Sequence, residues 1–149
     1  MTKWLTATEQ GYWRSWISAT LLLQHQLGRD LQTETGLTLP DYEILVRLSE
    51  APDRRIRMSE LADLTLSSRS RLSHQIERMT KAGLVDRQEC TQDRRGFFAV
   101  LTDAGYEELV AAAPKHVTSV RRRIVDVLTP EEFAELGRIN QKLVDALEG

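Results

Sequence analysis

Residues Met58 to Asp103 read MSELADLTLSSRSRLSHQIERMTKAGLVDRQECTQDRRGFFAVLTD. Leu61, Ala62 and Leu64 make a small apolar stripe on a short helix that Ser59 can N-cap. Leu66-Ser67-Ser68 interrupts it, and Ser67 is suited to cap a second helix running to about Lys81. On that second helix Leu72, Ile76 and Met79 stand at i, i+4 and i+7, which predicts one buried stripe. At about 100° per residue, Ser70, Arg71, Ser73, His74, Glu77, Arg78 and Lys81 fall on the other side. Nearly all of them donate hydrogen bonds or carry positive charge. Two helices joined by a tight break, the second basic on its free face, form a helix-turn-helix pattern.

Gly83 can take the left-handed conformation that ends the second helix. Leu84-Val85-Asp86-Arg87 follows as a short strand, Asp93-Arg94-Arg95-Gly96 as a charged turn, and Phe97-Phe98-Ala99-Val100-Leu101 as a second strand. Strand, basic turn, strand after such a helix is a wing. The fold expected is mainly α with a small β wing: a winged helix-turn-helix core flanked by helices from both chain ends.

This stretch resembles the DNA-binding core of the MarR family of transcription regulators. The matching residues are Leu61-Ala62, Ser67-Ser68-Arg69-Ser70, Gly83-Leu84-Val85 with Arg87, Asp93-Arg94-Arg95, and Val100-Leu101-Thr102-Asp103-Ala104-Gly105. Their order and spacing carry the likeness, which extends through Gly36-Leu37-Thr38-Leu39-Pro40 and Leu128-Thr129-Pro130-Glu131 to nearly the whole chain.

The chain has 149 residues, 41% hydrophobic and 28% charged, which is ordinary soluble-globular composition. No apolar run approaches the ~18–20 residues that span a bilayer. Met1-Thr2-Lys3-Trp4 does not open a secretory signal. The single cysteine excludes an internal disulfide and fits a reducing compartment, so the expected location is the cytoplasm. A net charge of −2 argues against a nucleic-acid binder until it is divided. Between Arg54 and Arg95 stand ten Lys/Arg and six Asp/Glu; the remainder has ten and sixteen. A basic module sits in an acidic frame, and phosphate attraction is local, screened beyond about 8 Å at physiological salt.

Outside the core, Thr6 to about Thr35 reads as one helix, with Trp13, Trp16, Ile17, Thr20, Leu23, Leu27 and Leu31 at steps of three or four. Its apolar face, broadened by Leu21 and Leu22, exceeds what one core stripe needs. Thr38-Leu39-Pro40-Asp41 restarts a helix, Ala51-Pro52-Asp53 breaks it, and Ile56-Arg57 could add a minimal third strand. Thr102 caps a helix that Pro114 should kink or restart. Thr129-Pro130-Glu131-Glu132 is a capping box opening a last helix whose stripe is Phe133, Leu136, Ile139, Leu143, Val144 and Leu147. The surplus of apolar faces at both ends predicts a homodimer. The division expected is 1-36 and 103-149 as a helical dimerisation region and 37-102 as the DNA-binding region, in one continuous compact unit.

The resemblance implies a double-stranded DNA partner and a ligand-responsive repressor on a palindromic operator. It sends the second helix into the major groove, where Arg69, Arg71 and His74 could reach base edges. Ser68, Ser70, Ser73 and Arg78 suit phosphates better. On the wing it makes Arg95 the minor-groove residue, oriented by Asp93, with Arg94 the competing candidate. Relatives bind small, often aromatic or anionic, effectors between helical layer and winged core, which makes Trp16 and Tyr42 candidate pocket residues, although aromatics on helix stripes are most often core. Neither cofactor nor membrane partner is implied. Cys90, at the end of a wing strand, is expected buried and inert. Ser73 and His74 are neighbours about 100° apart and cannot pair as nucleophile and base. With no metal-spaced His/Cys set and no glycine-rich phosphate loop, an enzyme is not expected. A protein-docking winged helix would leave the outward Arg/Ser face unexplained.

Overall fold

A computed structural model of the chain describes residues 1–91 and 96–149. The elements run α1 (Ala7–Thr35), α2 (Leu39–Glu50), a 3-10 turn (Pro52–Arg54), β1 (Arg55–Arg57), α3 (Met58–Leu64), α4 (Arg69–Lys81), β2 (Val85–Glu89), β3 (Phe97–Leu101), α5 (Asp103–Val120), a π-helical segment (Arg121–Val125) and α6 (Pro130–Glu148). Two compact units result, one of Met1–Thr33 with Lys115–Gly149, the other of Glu34–Pro114. Among the described residues no helix is long and apolar enough to cross a membrane.

The Glu34–Pro114 unit is the winged helix. Its sheet has the order β1-β3-β2, all antiparallel, with Ile56 opposite Ala99 and Arg87 opposite Ala99 from the other side. The two-residue strand read at Ile56-Arg57 is thus a real edge, one residue longer. Arg55 ties the sheet together by reaching across it: its guanidinium lies 4.5 Å from the Phe98 ring centroid and donates to Gln88 Oε1 at 2.9 Å. The core beneath holds Ile44, Leu45 and Leu48 from α2, Leu61 from α3, Leu72, Ile76 and Met79 from α4, and Val85 and Ala99 from the sheet. The i, i+4, i+7 stripe of α4 is fully inside.

Three boundaries differ from the sequence reading. The α3 helix begins at Met58 after an uncapped Arg57, so Ser59 lies inside its first turn. The cap of α4 is Ser68, whose hydroxyl accepts from the Arg71 N–H at 3.1 Å. Ser67 is consumed in closing α3: its N–H goes back to the Ala62 carbonyl at 2.9 Å and that of Leu66 to Asp63 at 3.2 Å, a Schellman closure with Leu66 at φ +52. The α4 C-terminus repeats that closure through Gly83 at φ +80. Thirdly, of the kink or restart expected at Pro114 the restart does not occur, since α5 continues helical to Val120 with the proline inside it. One lost hydrogen bond there costs less than nucleating a fresh helix, which fixes several residues for one bond.

In the other unit, α1 starts with a reciprocal cap between Thr6 and Glu9, and α6 with the expected Thr129–Glu132 box. Beyond α5 the Asp126 N–H reaches the Arg121 carbonyl at 2.8 Å, the widened turn of a π segment. Arg122 and Arg123 both meet the Asp30 carboxylate there, at 3.2 and 3.0 Å, and Ser119 Oγ donates to it at 2.5 Å. The hydrogen bond from Arg123, then that from Ser119, holds the Asp30 carboxyl well below the usual carboxylate range. No residue of α6 is buried, and Phe133, Ile139, Leu143 and Val144 lie on its surface.

Candidate nucleic-acid interface

The free face of α4 is built by its buried one. With Leu72, Ile76 and Met79 turned inward, Ser68, Arg69, Ser70, Arg71, His74 and Arg78 are all exposed, and Ser73 is half-buried. The first turn, Arg69-Ser70-Arg71-Leu72, contains no acidic residue. Two cations therefore stand at the positive end of a helix dipole, an arrangement that repels itself until an anion arrives.

Two contacts set how α4 is held. On one flank the Asp41 carboxylate, nearly buried in the first turn of α2, accepts from Gln75 Nε2 at 2.9 Å and pairs with Arg78 at 3.6 Å. On the other flank Arg87 of β2 donates to the Ser73 carbonyl at 3.2 Å. Arg78, one of the residues read as phosphate contacts, is thus already shared with a carboxylate, though its side chain remains 64% exposed. Asp41 and Gln75 escaped the sequence reading because 34 residues separate them and neither stands out locally.

Between α4 and the sheet lies an open cleft of about 510 Å³, lined by Arg57, Ser59, Arg69, Ser73, Arg87 and Phe97 among others. Its polar lining is three guanidinium groups and two hydroxyls, donors matched to phosphate or carboxylate oxygens. Arg69 and Ser73 were expected at such an interface. Arg57 and Arg87 were not placed in it; Arg87 is exposed in a strand where only Val85 is buried, and no alternation of burial along that strand marks it.

The wing candidates Asp93, Arg94 and Arg95 lie outside the described residues. Trp16 is on α1, with 37% of its surface exposed; Tyr42 is on α2, half-buried, where burial pushes its phenol pKa up. Each belongs to its own unit. Cys90 is buried, and Arg57 Nη2 donates to its sulfur at 3.4 Å. Among the described residues no group of His, Cys, Asp or Glu side chains could hold a metal ion.

The family model described as MarR family matches residues 35–96. AbsC, a MarR family transcriptional regulator from Streptomyces coelicolor, is 53% identical, with 99% of each chain covered and a TM-score of 0.92. Sco3205, a MarR family transcriptional regulator from the same organism solved in complex with DNA, is 48% identical over 98% of this chain and 92% of its own, with a TM-score of 0.93. The transcriptional regulator HosA of Escherichia coli O157:H7 is 30% identical over 125 residues, 76% of this chain and 90% of the relative.

Proposed function

The chain belongs to the MarR family of transcription regulators, which are not enzymes, and from that premise we propose that it is a ligand-responsive repressor binding a palindromic operator as a homodimer. The observation that carries the DNA reading is the first turn of α4: exposed Arg69 and Arg71 at a serine-capped helix N-terminus without a balancing acid. The DNA complex of Sco3205 supports the same partner. In this reading Arg71 and His74, with Arg69, address base edges in the major groove. Ser68, Ser70, Ser73 and Arg78 take phosphates, joined by Arg57 and Arg87 from the cleft. Arg95, oriented by Asp93, enters the minor groove, with Arg94 the competing candidate for that place.

The dimer is proposed from the apolar surface of α1 and α6, and residues 1-36 with 103-149 are its assigned region, leaving 37-102 for DNA. A small aromatic or anionic effector is proposed with Trp16 and Tyr42 as candidate contacts, each to be substituted separately. The cytoplasm follows as location from the DNA partner.

Binding-site selection from a random duplex pool, followed by titrations at several salt concentrations, tests the DNA reading. The selected site should be palindromic, with half-sites about 10 bp apart centre to centre. If either residue holds a guanine, Arg69→Ala or Arg71→Ala should cost about 1–3 kcal/mol and relax the choice at one base pair per half-site. Arg95→Ala should weaken binding with little change in the preferred core and flatten the salt slope by roughly 0.9 for each phosphate no longer neutralised. Unchanged affinity in all three variants would remove DNA as the partner of this face.

A further inference from the structure

Leu66 is the residue in the helix-turn-helix that the fold least explains. It occupies the left-handed position that closes α3, at φ +52, where a side chain crowds the backbone and glycine is the unstrained choice. At the other helix ends closed this way the chain does use glycine, Gly36 at φ +77 and Gly83 at φ +80. Strain at Leu66 is not repaid by packing, because the residue is 95% exposed. A large apolar side chain is therefore held in a costly backbone conformation and given entirely to solvent.

Its position names what it meets. Leu66 stands two residues before the Ser68 cap, beside the first turn of α4 with its exposed Arg69, Ser70 and Arg71. Those donors and cations fit the polar edge of a duplex, and they leave its apolar groups unread. In the major groove the one such group that distinguishes a base is the thymine methyl. We propose that Leu66 is a specificity-determining residue that packs its isobutyl group on the C5-methyl of one thymine per half-site, next to the bases addressed by α4. This rests on the DNA-binding reading above.

Wild-type protein should select duplexes with a fixed thymine at one position per half-site, and Leu66→Ala should lose that preference. The probe is then the selected duplex and a copy carrying uracil in place of that thymine, which removes only the methyl. Leu66→Ala is expected to bind the thymine duplex about fivefold more weakly than wild type and the uracil copy equally well, since the burial of about one methyl group is forfeited. Its thermal midpoint should stay at the wild-type value, because nothing packs on the side chain; Leu66→Gly should bind like Leu66→Ala without a lower midpoint. Equal weakening on both duplexes, or a midpoint lowered in Leu66→Ala, would overturn the proposal in favour of a sugar contact or a packing role. Wild-type affinity in both Leu66 variants while Arg71→Ala is impaired would reject Leu66 and keep the DNA reading. Wild-type affinity in all of them would reject both.

Discussion

Arg87 Nη2 lies 3.2 Å from the Ser73 carbonyl oxygen and 3.4 Å from its hydroxyl, so β2 is fastened to the middle of the recognition helix. The acceptor is a main-chain atom, which makes the contact a constraint on the placement of α4 whatever rotamer Ser73 adopts. Asp41, gripping Gln75 and Arg78 from the other flank, completes a two-sided hold.

Arg87→Met keeps the aliphatic stem and removes the fork. Because the contact is exposed and Arg87 itself lies in solvent, the loss in folding stability should be about 1 kcal/mol or less, read by urea denaturation. Affinity for the selected duplex should fall further than that, with a flatter salt slope. Arg87→Lys should recover the slope while recovering little of the helix positioning, since an ammonium cannot reproduce the guanidinium fork. Equal recovery of both by lysine would reduce Arg87 to a point charge.

Gly105 should tolerate no side chain. A Cβ there would collide with the Leu84 carbonyl oxygen and come within 2.8 Å of Leu101 Cδ1. The crowding arises because Thr102 and Gly105 begin α5 directly against the Schellman turn that ends α4; Thr102 Oγ1 donates to the Gly83 carbonyl at 2.7 Å. Gly105→Ala is expected to cost about 1–3 kcal/mol by overpacking in equilibrium denaturation. Gly137, with open space around it, is the control, and Gly137→Ala should be neutral or stabilising.

The Asp30 clamp should make part of the stability acid-sensitive. Hydrogen bonds from Arg123 and Ser119 hold the folded-state pKa well below the ordinary value of 3.8. Its contribution is therefore complete above the unfolded-state value and drains away as pH falls through that value towards the folded one. The thermal midpoint of Asp30→Asn should lie below wild type at about pH 7, and the gap should narrow below about pH 4. A gap of constant size across that range would mean the contribution does not depend on ionisation.

The exposed apolar residues of α1 and α6 should disappear from solvent in the dimer. Trp13 is 54% and Leu143 44% exposed in the single chain, and a stable interface buries roughly 1,200–2,000 Å² in total. Sedimentation of a chain ending at residue 129 should show monomers or aggregates. A soluble, well-folded dimer after that truncation would place the interface elsewhere.

Much of the fold is legible in the residues because it is decided locally. The α4 stripe, the hydroxyl caps at Thr38 and Thr129, and Gly36 and Gly83 at helix ends depend only on neighbours within a turn or two. The exposed basic face of α4 follows from the stripe, since turning Leu72, Ile76 and Met79 inward leaves Arg71 and His74 outside. Where local rules compete, they decide less. Ser59, Ser67 and Ser68 are equally good caps on paper, and the choice of Ser68 was made by how α3 closes on Ala62 and Asp63.

Tertiary structure alone decided the rest of the site. Arg57, Arg69 and Arg87 share one cleft because β1 and β2 flank β3 and α4 packs on that sheet, joining residues whose spacing in the chain carries no periodic signal. Asp41 reaches Gln75 for the same reason. Helix periodicity and capping are properties of a few consecutive residues, whereas strand pairing and helix packing are settled by burying the whole apolar set at once. The helix that offers its basic face was therefore written in the sequence, and the residues that hold it in place were not.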